Sequence, residues 1–335
     1  MFEQISLFGI PITSFSLLLM LAFLTAAYLI PKELHRRGLS VEIGDQCLLL
    51  AVLGTIVGAK IGFVFEMWGN IWAFPVGFWH TMQYVLLHWD GLADFQPDAE
   101  YVGLWATLFS RGGLVFYGGF AAGFGALYFY LKYKGQDIWR YGDAFIPSMA
   151  IGYGIGRLGC IVSGDGCFGY AAPVQIPFLT MVYAGPHSHY VNSVFSYVTG
   201  GSMGTDGVNV WNTPMMEAIL SWILFAWMML KLRHQNFRPG FMVAVFLVWN
   251  GIARFAVEFL RINDAMIPVL PHPKLNGSDI LHHTARGWTS SADYFTHWHW
   301  YGFTQSQVFG VAIAIVGLIW ILQRKLYLRD DTAKS

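Results

Sequence analysis

Seven long apolar runs punctuate the chain, at residues 12–30, 47–66, 112–131, 143–163, 214–232, 241–261 and 302–322. A helix crossing the hydrocarbon core of a bilayer needs about 20 mostly apolar residues, and each run is about that long. The pattern predicts an all-α, polytopic membrane protein with about seven transmembrane helices. Residues 71–89 (IWAFPVGFWHTMQYVLLHW) are also apolar and aromatic, but Pro75 and His80 fall near their middle. That stretch is expected to lie in the interface or re-enter the outer leaflet, with Trp and Tyr at headgroup level.

The positive charges orient the bundle. Lys32, Arg36 and Arg37 follow the first run, and Lys132, Lys134 and Arg140 follow the third. Lys231, Arg233 and Arg238 follow the fifth, and Arg324, Lys325, Arg329 and Lys334 follow the seventh. The intervening segments are nearly free of them, so the N-terminus is expected outside and the C-terminus in the cytoplasm. Residues 67–111, 164–213 and 262–301 then form an extracytoplasmic cap of loops, and residues 1–335 a single integral membrane domain. The first 31 residues hold no Lys or Arg, so the first helix is expected to stay rather than be cleaved as a signal peptide.

Composition adds two exclusions. Only 12% of residues are charged and the formal net charge is zero, which leaves no electrostatic case for nucleic acid. Three cysteines, an odd count, give no sign of a disulfide framework.

The charges inside the runs carry the chemistry. Lys60, Arg157 and Arg254 fall in the outer part of the second, fourth and sixth runs, and Arg111 and Tyr117 near the outer end of the third. A buried charge costs about 2.5–3.5 kcal/mol on insertion scales, so such residues usually face a cavity and mark function. Arg254, Glu258 and Arg261 are spaced i, i+4, i+7, on one helix face. Arg254 and Glu258 pair in this reading, while Arg261 stays near the surface for an anion. Guanidinium forks at one depth suit a lipid phosphate. Plainer readings stand beside this one: Lys60 snorkelling, Arg254–Glu258 as a structural ion pair, Tyr117 as an interface aromatic, and Gly112, Gly113, Gly118, Gly119 and Gly123 as packing residues. Cys160 and Cys167 read as small buried residues. The histidines show no convincing metal-ligand spacing, and no metal is expected.

Five stretches resemble the prolipoprotein diacylglyceryl transferases. GRLGCIVSGDGCFG, within residues 154–169, is similar to the family's Gly-Arg-x-Gly-Asn-Phe-x-Asn-x-Glu signature. GGLVFYGGF resembles its segment ending His-Gly-Gly, and NTPMME a degraded His-Pro-x-Gln/Pro-x-Tyr-Glu. RPGFMVAVFLVWNGIARFAVEFLR resembles the span bearing Arg-x-x-x-Glu-x-x-Arg, and TQSQ fits the start of the last helix. The resemblance implies transfer of a diacylglyceryl group from phosphatidylglycerol to the lipobox cysteine of a prolipoprotein, without a cofactor, in the bacterial plasma (inner) membrane. The partners it implies are phosphatidylglycerol, prolipoprotein signal peptides and membrane lipid.

The same resemblance implies catalytic roles for Tyr117, Arg157, Arg254, Glu258 and Asp165, with Glu258 orienting Arg254. Arg261, Arg111 and Lys60 join the arginines as phosphate ligands, and Gly118, Gly119, Gly156, Gly159 and Gly169 serve close approach. Tyr117 stands where the family has histidine, Asp165 where it has glutamate, and Cys160 and Ser163 where it has asparagines. These replacements mark a divergent branch. They leave two alternatives: a paralogue with another acceptor, or a phospholipid-binding or transport protein without enzymatic activity.

Overall fold

A computed structural model of the chain describes residues 4–7, 10–66, 116–163, 167–170, 172–182, 209–261, 265–269 and 302–329. Its helices are α1 (Ser14–Arg36), α2 (Val41–Glu66), α3 (Phe116–Tyr133), α4 (Ile138–Ser163), α5 (Thr213–Leu230), α6 (Phe241–Glu258) and α7 (Gln305–Gln323). Each coincides with one of the seven apolar runs. Six of them, all but α3, are long and apolar enough along their described residues to cross a membrane. The chain is an all-α polytopic membrane protein.

Several helices outrun their apolar runs. α1 continues from residue 30 to Arg36, and α4 begins at Ile138 rather than 143. Hydropathy marks the part of a helix in hydrocarbon, whereas backbone hydrogen bonds carry the helix on through a polar turn at the interface. Residues 71–89 lie outside the described residues.

The described residues pack as two units. In the first, α1 lies on α4, α4 on α5 and α6, α5 on α6, and α6 on α7. Its core joins Ile146 and Ala150 of α4, Leu224 and Met228 of α5, and Met242 and Val245 of α6. The outward faces are apolar too: Leu24, Ile252 and Val316 are all more than half exposed. Glu33, Asp143, Glu217, Glu258 and Gln307 are instead buried. Apolar outside and polar inside is the distribution a lipid solvent selects, because charged groups there must face one another. α6 and α7 meet where a Cβ at Gly251 would overlap the Gly310 carbonyl, and Gly317 sits 2.9 Å (as a Cβ) from the Ala244 oxygen. Small residues let these backbones touch.

The second unit holds most of α2 and all of α3. Gly58 and Gly118 each face the other's carbonyl with no room for a Cβ, and a Cβ at Gly123 would lie 2.6 Å from Thr55 Oγ1. The α3 glycines serve packing there.

Among the described residues three antiparallel ribbons flank the helices: β1 (Gln4–Leu7) with β2 (Ile10–Thr13), β3 (Thr180–Met181) with β4 (Val210–Trp211), and β5 (Ala265–Pro268) with β6 (Gly302–Thr304). β6 leads straight into α7.

Candidate functional site

α5 starts where Asn212, Thr213 and Pro214 dictate. Asn212 accepts the Met215 N–H at 3.3 Å, and proline occupies the first turn, where its missing N–H is no loss. Thr213 donates its hydroxyl to the Cys167 carbonyl, which fastens this helix start to the chain leaving α4. The first turns of α5 therefore have a fixed position, and Glu217 projects from them into the bundle, 3% exposed.

Three arginines from two other elements converge on that carboxylate. Arg157 Nη2 of α4 lies 2.6 Å from Oε2, and Arg254 Nη1 of α6 lies 2.6 Å from Oε1. Arg261, just past the end of α6, brings Nη1 to 3.4 Å from Oε1. Tyr153, one turn before Arg157, donates its hydroxyl to Glu217 Oε2 and accepts Arg157 Nε and Nη2 at 3.1 and 3.0 Å. Arg157 Nη1 is left pointing toward the Cys160 sulfur at 3.8 Å.

Glu258 completes the cluster. Its Oε2 lies 3.0 Å from Arg254 Nη2 and 3.8 Å from Arg261 Nε. Thr304 donates its hydroxyl to Glu258 Oε1 at 3.0 Å while accepting the Gln307 N–H, and Gln307 Oε1 accepts the Thr304 N–H. This reciprocal cap starts α7 and holds the glutamate at once. Ser306 accepts Arg254 Nη2 at 3.0 Å. Among the described residues three guanidiniums face two carboxylates, which gives the cluster one net positive charge.

The rim is built on Gly169. Its N–H donates to Trp211 O at 2.8 Å, Tyr170 N–H to Leu260 O at 3.0 Å, and Trp211 N–H to Tyr170 O at 2.9 Å. A Cβ at Gly169 would overlap the Leu260 carbonyl oxygen, so only glycine lets the strand pass between α5's start and α6's end. Arg261 is held directly across from it in an antiparallel bridge.

Arg157, Arg254, Glu258 and Arg261 thus come together, with the Arg254–Glu258 pair at its expected spacing. Arg261 departs from expectation. Its side chain is only 12% exposed and turns inward onto Glu217 and Glu258 instead of waiting at the surface. Gly159 meets the Phe15 ring at 2.9 Å from its would-be Cβ, whereas a Cβ at Gly156 would meet nothing within 4 Å. Gly156 is therefore no close-approach glycine among the described residues. Lys60, Gly118 and Gly119 belong to the other unit. Arg111, Asp165 and the side chain of Tyr117 lie outside the described residues.

Two members of the cluster had no role expected from the sequence: Glu217, which closes the NTPMME stretch, and Tyr153. An acid inside the fifth apolar run was as anomalous as the arginines, and it follows a helix-start signal, Asn-Thr-Pro. Tyr153 precedes Arg157 by four residues, so the two share a helix face.

Over residues 3–323 the chain matches the family model described as prolipoprotein diacylglyceryl transferase. It is 43% identical over 321 residues to the phosphatidylglycerol–prolipoprotein diacylglyceryl transferase of Leptospira interrogans, covering 96% of this chain and 92% of that protein. The Clostridium tetani protein of the same name is 23% identical over 255 residues, 76% of this chain and 83% of its own length. The chain belongs to the prolipoprotein diacylglyceryl transferase family.

Proposed function

We propose that the chain transfers the diacylglyceryl group of phosphatidylglycerol to the lipobox cysteine of prolipoproteins, as a multi-pass protein of the bacterial plasma membrane. The observation that carries the reading is the net positive charge of the Glu217 cluster, buried at one end of a bundle whose outer faces are apolar. A phosphodiester monoanion would neutralise it. In the reaction, the cysteine sulfur attacks the glyceryl carbon that bears the headgroup phosphate. A C–S bond forms, the C–O bond breaks, glycerol phosphate leaves with the electron pair, and the thiol proton passes to a base. Charge grows on the departing phosphate, and cations already in place favour that transition state without reorganising.

In this reading Arg157 and Arg254 hold the phosphate, Arg261 adds charge from the rim, and Glu217 and Glu258 orient the forks. Arg111 and Lys60 are further cations expected for the phosphate, and Asp165 an acid expected for the segment after α4. Tyr117 supplies a hydrogen bond, since an unshifted phenol is a poor base at neutral pH. The cluster end faces outward, with the N-terminus outside and residues 67–111, 164–213 and 262–301 as the cap of one membrane domain.

The test is thioether lipidation of a reporter prolipoprotein in membranes depleted of the native enzyme. Restored lipidation by this chain, lost in Arg157→Ala at equal membrane abundance, is the expected result. Phosphatidylglycerol turnover without reporter lipidation would instead assign another acceptor.

A further inference from the structure

A second buried glutamate gathers arginines at the other end of the same bundle. α4 carries Asp143 near its start and Arg157 near its end, about 21 Å apart at 1.5 Å per residue. At the Asp143 end, Glu33 of α1 is 2% exposed and draws in Arg36 Nη2 at 2.9 Å, Arg233 Nη1 at 3.3 Å and Arg37 Nε at 3.8 Å.

Donors outnumber acceptors in this group. Arg36 directs both Nε and Nη2 to the same oxygen, Glu33 Oε2. Arg37 Nε and Arg233 Nε are buried without a hydrogen-bond acceptor among the described residues. Arg37 Nη2 ends on the Met242 thioether at 2.9 Å and Arg233 Nη1 reaches the Met229 thioether at 3.9 Å. A thioether is a weak acceptor. Asp143 lies close enough to favour the charged form of Arg37, but its oxygens also accept the Gly240 and Val243 N–H groups at 2.9 and 3.1 Å. That bond caps α6, whose own cap residue Gly240 has φ +95° and no side chain to do so. Burial pushes the Arg37 guanidinium below its ordinary pKa, against the pull of Asp143 and Glu33 and with the repulsion of Arg36 and Arg233.

The three arginine side chains stay partly open, at 32, 22 and 27% exposure for Arg36, Arg37 and Arg233. The end of α5 that leads to Arg233 presents Trp227 and Leu230 outward, Leu230 at 75% exposure. Cations short of oxygen acceptors, next to outward apolar surface at the end of membrane-crossing helices, match a phosphate with acyl chains attached. A free anion would use the cations and leave the apolar surface idle. Basic sites between helices at a membrane surface bind anionic headgroups in this way.

We propose that Arg36, Arg37 and Arg233 hold the headgroup phosphate of an anionic phospholipid in the leaflet away from the Glu217 cluster. The bound lipid ties the end of α1 to the α5–α6 connection and is not consumed.

The full-length protein in detergent micelles, titrated with phosphatidic acid and examined by native mass spectrometry, tests this. The parent should retain a phosphatidic acid that Arg37→Gln/Arg233→Gln, lacking two guanidiniums, holds more weakly, with half-saturation raised at least about tenfold. Arg36→Gln, the most exposed position, serves if the double variant fails to fold, and should show a smaller shift in the same direction. Equal phosphatidic acid binding in parent and variants would overturn the proposal. So would equal retention of phosphatidylcholine, or displacement of the lipid by an equal concentration of inorganic phosphate, which would make this a free-anion site.

Discussion

Arg254 Nη1 lies 2.6 Å from Glu217 Oε1, across from α6 to α5. The same carboxylate is 2.6 Å from Arg157 through its other oxygen, so one buried side chain on α5 sets the separation of two guanidiniums on α4 and α6. Two arginines alone would repel; the glutamate between them keeps both forks at one depth.

Glu217→Gln keeps the size of the side chain and removes its charge. Breaking a buried pair from one side costs about 3–5 kcal/mol, because the remaining charges lose their partner. Transfer should fall by at least about a hundredfold, while the helical signal of the purified protein persists. A variant with parental turnover would show that the arginines hold their places without it.

Tyr153→Phe deletes one hydroxyl that donates to Glu217 and accepts two bonds from Arg157. The loss should be about 1–2 kcal/mol, a roughly five- to thirtyfold drop in turnover. Because the tyrosine orients Arg157 and does not itself touch substrate in this scheme, Arg157→Lys should mask much of the effect. Additive losses in the Tyr153→Phe/Arg157→Lys double variant would argue for an independent role.

Thr304→Val removes a hydroxyl with two duties, the cap of α7 and the bond to Glu258 Oε1. Loss of a cap costs about 1 kcal/mol, and a buried carboxylate oxygen left without its donor adds to that. Thermal unfolding in detergent should come several degrees lower, and Thr304→Ser should recover most of the difference. A Thr304→Ser protein as unstable as the valine variant would place the effect in packing of the methyl group.

How much of this was readable beforehand depended on whether partners share a helix. Arg254 and Glu258 follow from helical periodicity, and the α7 start from the resemblance of TQSQ, which the structure shows to be a capping box of Thr304 and Gln307. The Glu217 hub joins α4, α5 and α6, and no periodicity within one helix links residue 217 to residues 157 and 254. Arg261 was misplaced for the same reason, since its inward turn is drawn by a carboxylate on α5. Arg36, Arg37 and Arg233 read as ordinary basic loops; Glu33, buried beneath them, makes them a cluster.

Gly156 and Gly169 bracket the arginine motif and should respond in opposite ways to alanine. A methyl at Gly156 meets nothing within 4 Å among the described residues, and alanine is the better helix former by about 1 kcal/mol. Gly156→Ala should therefore leave folding intact or slightly firmer. At Gly169 the methyl would overlap the Leu260 carbonyl and come within 3.0 Å of the Trp211 Cβ. The strand would have to move away from α6, and with it the bridge to Arg261 and the bonds to Trp211 and Leu260. Gly169→Ala should lose transfer and become sensitive to protease near residue 169, even where the helices persist. Equal behaviour of the two alanine variants, in lipidation of the reporter and in proteolysis, would mean that the rim tolerates the shift and that Arg261 needs no fixed strand beside it.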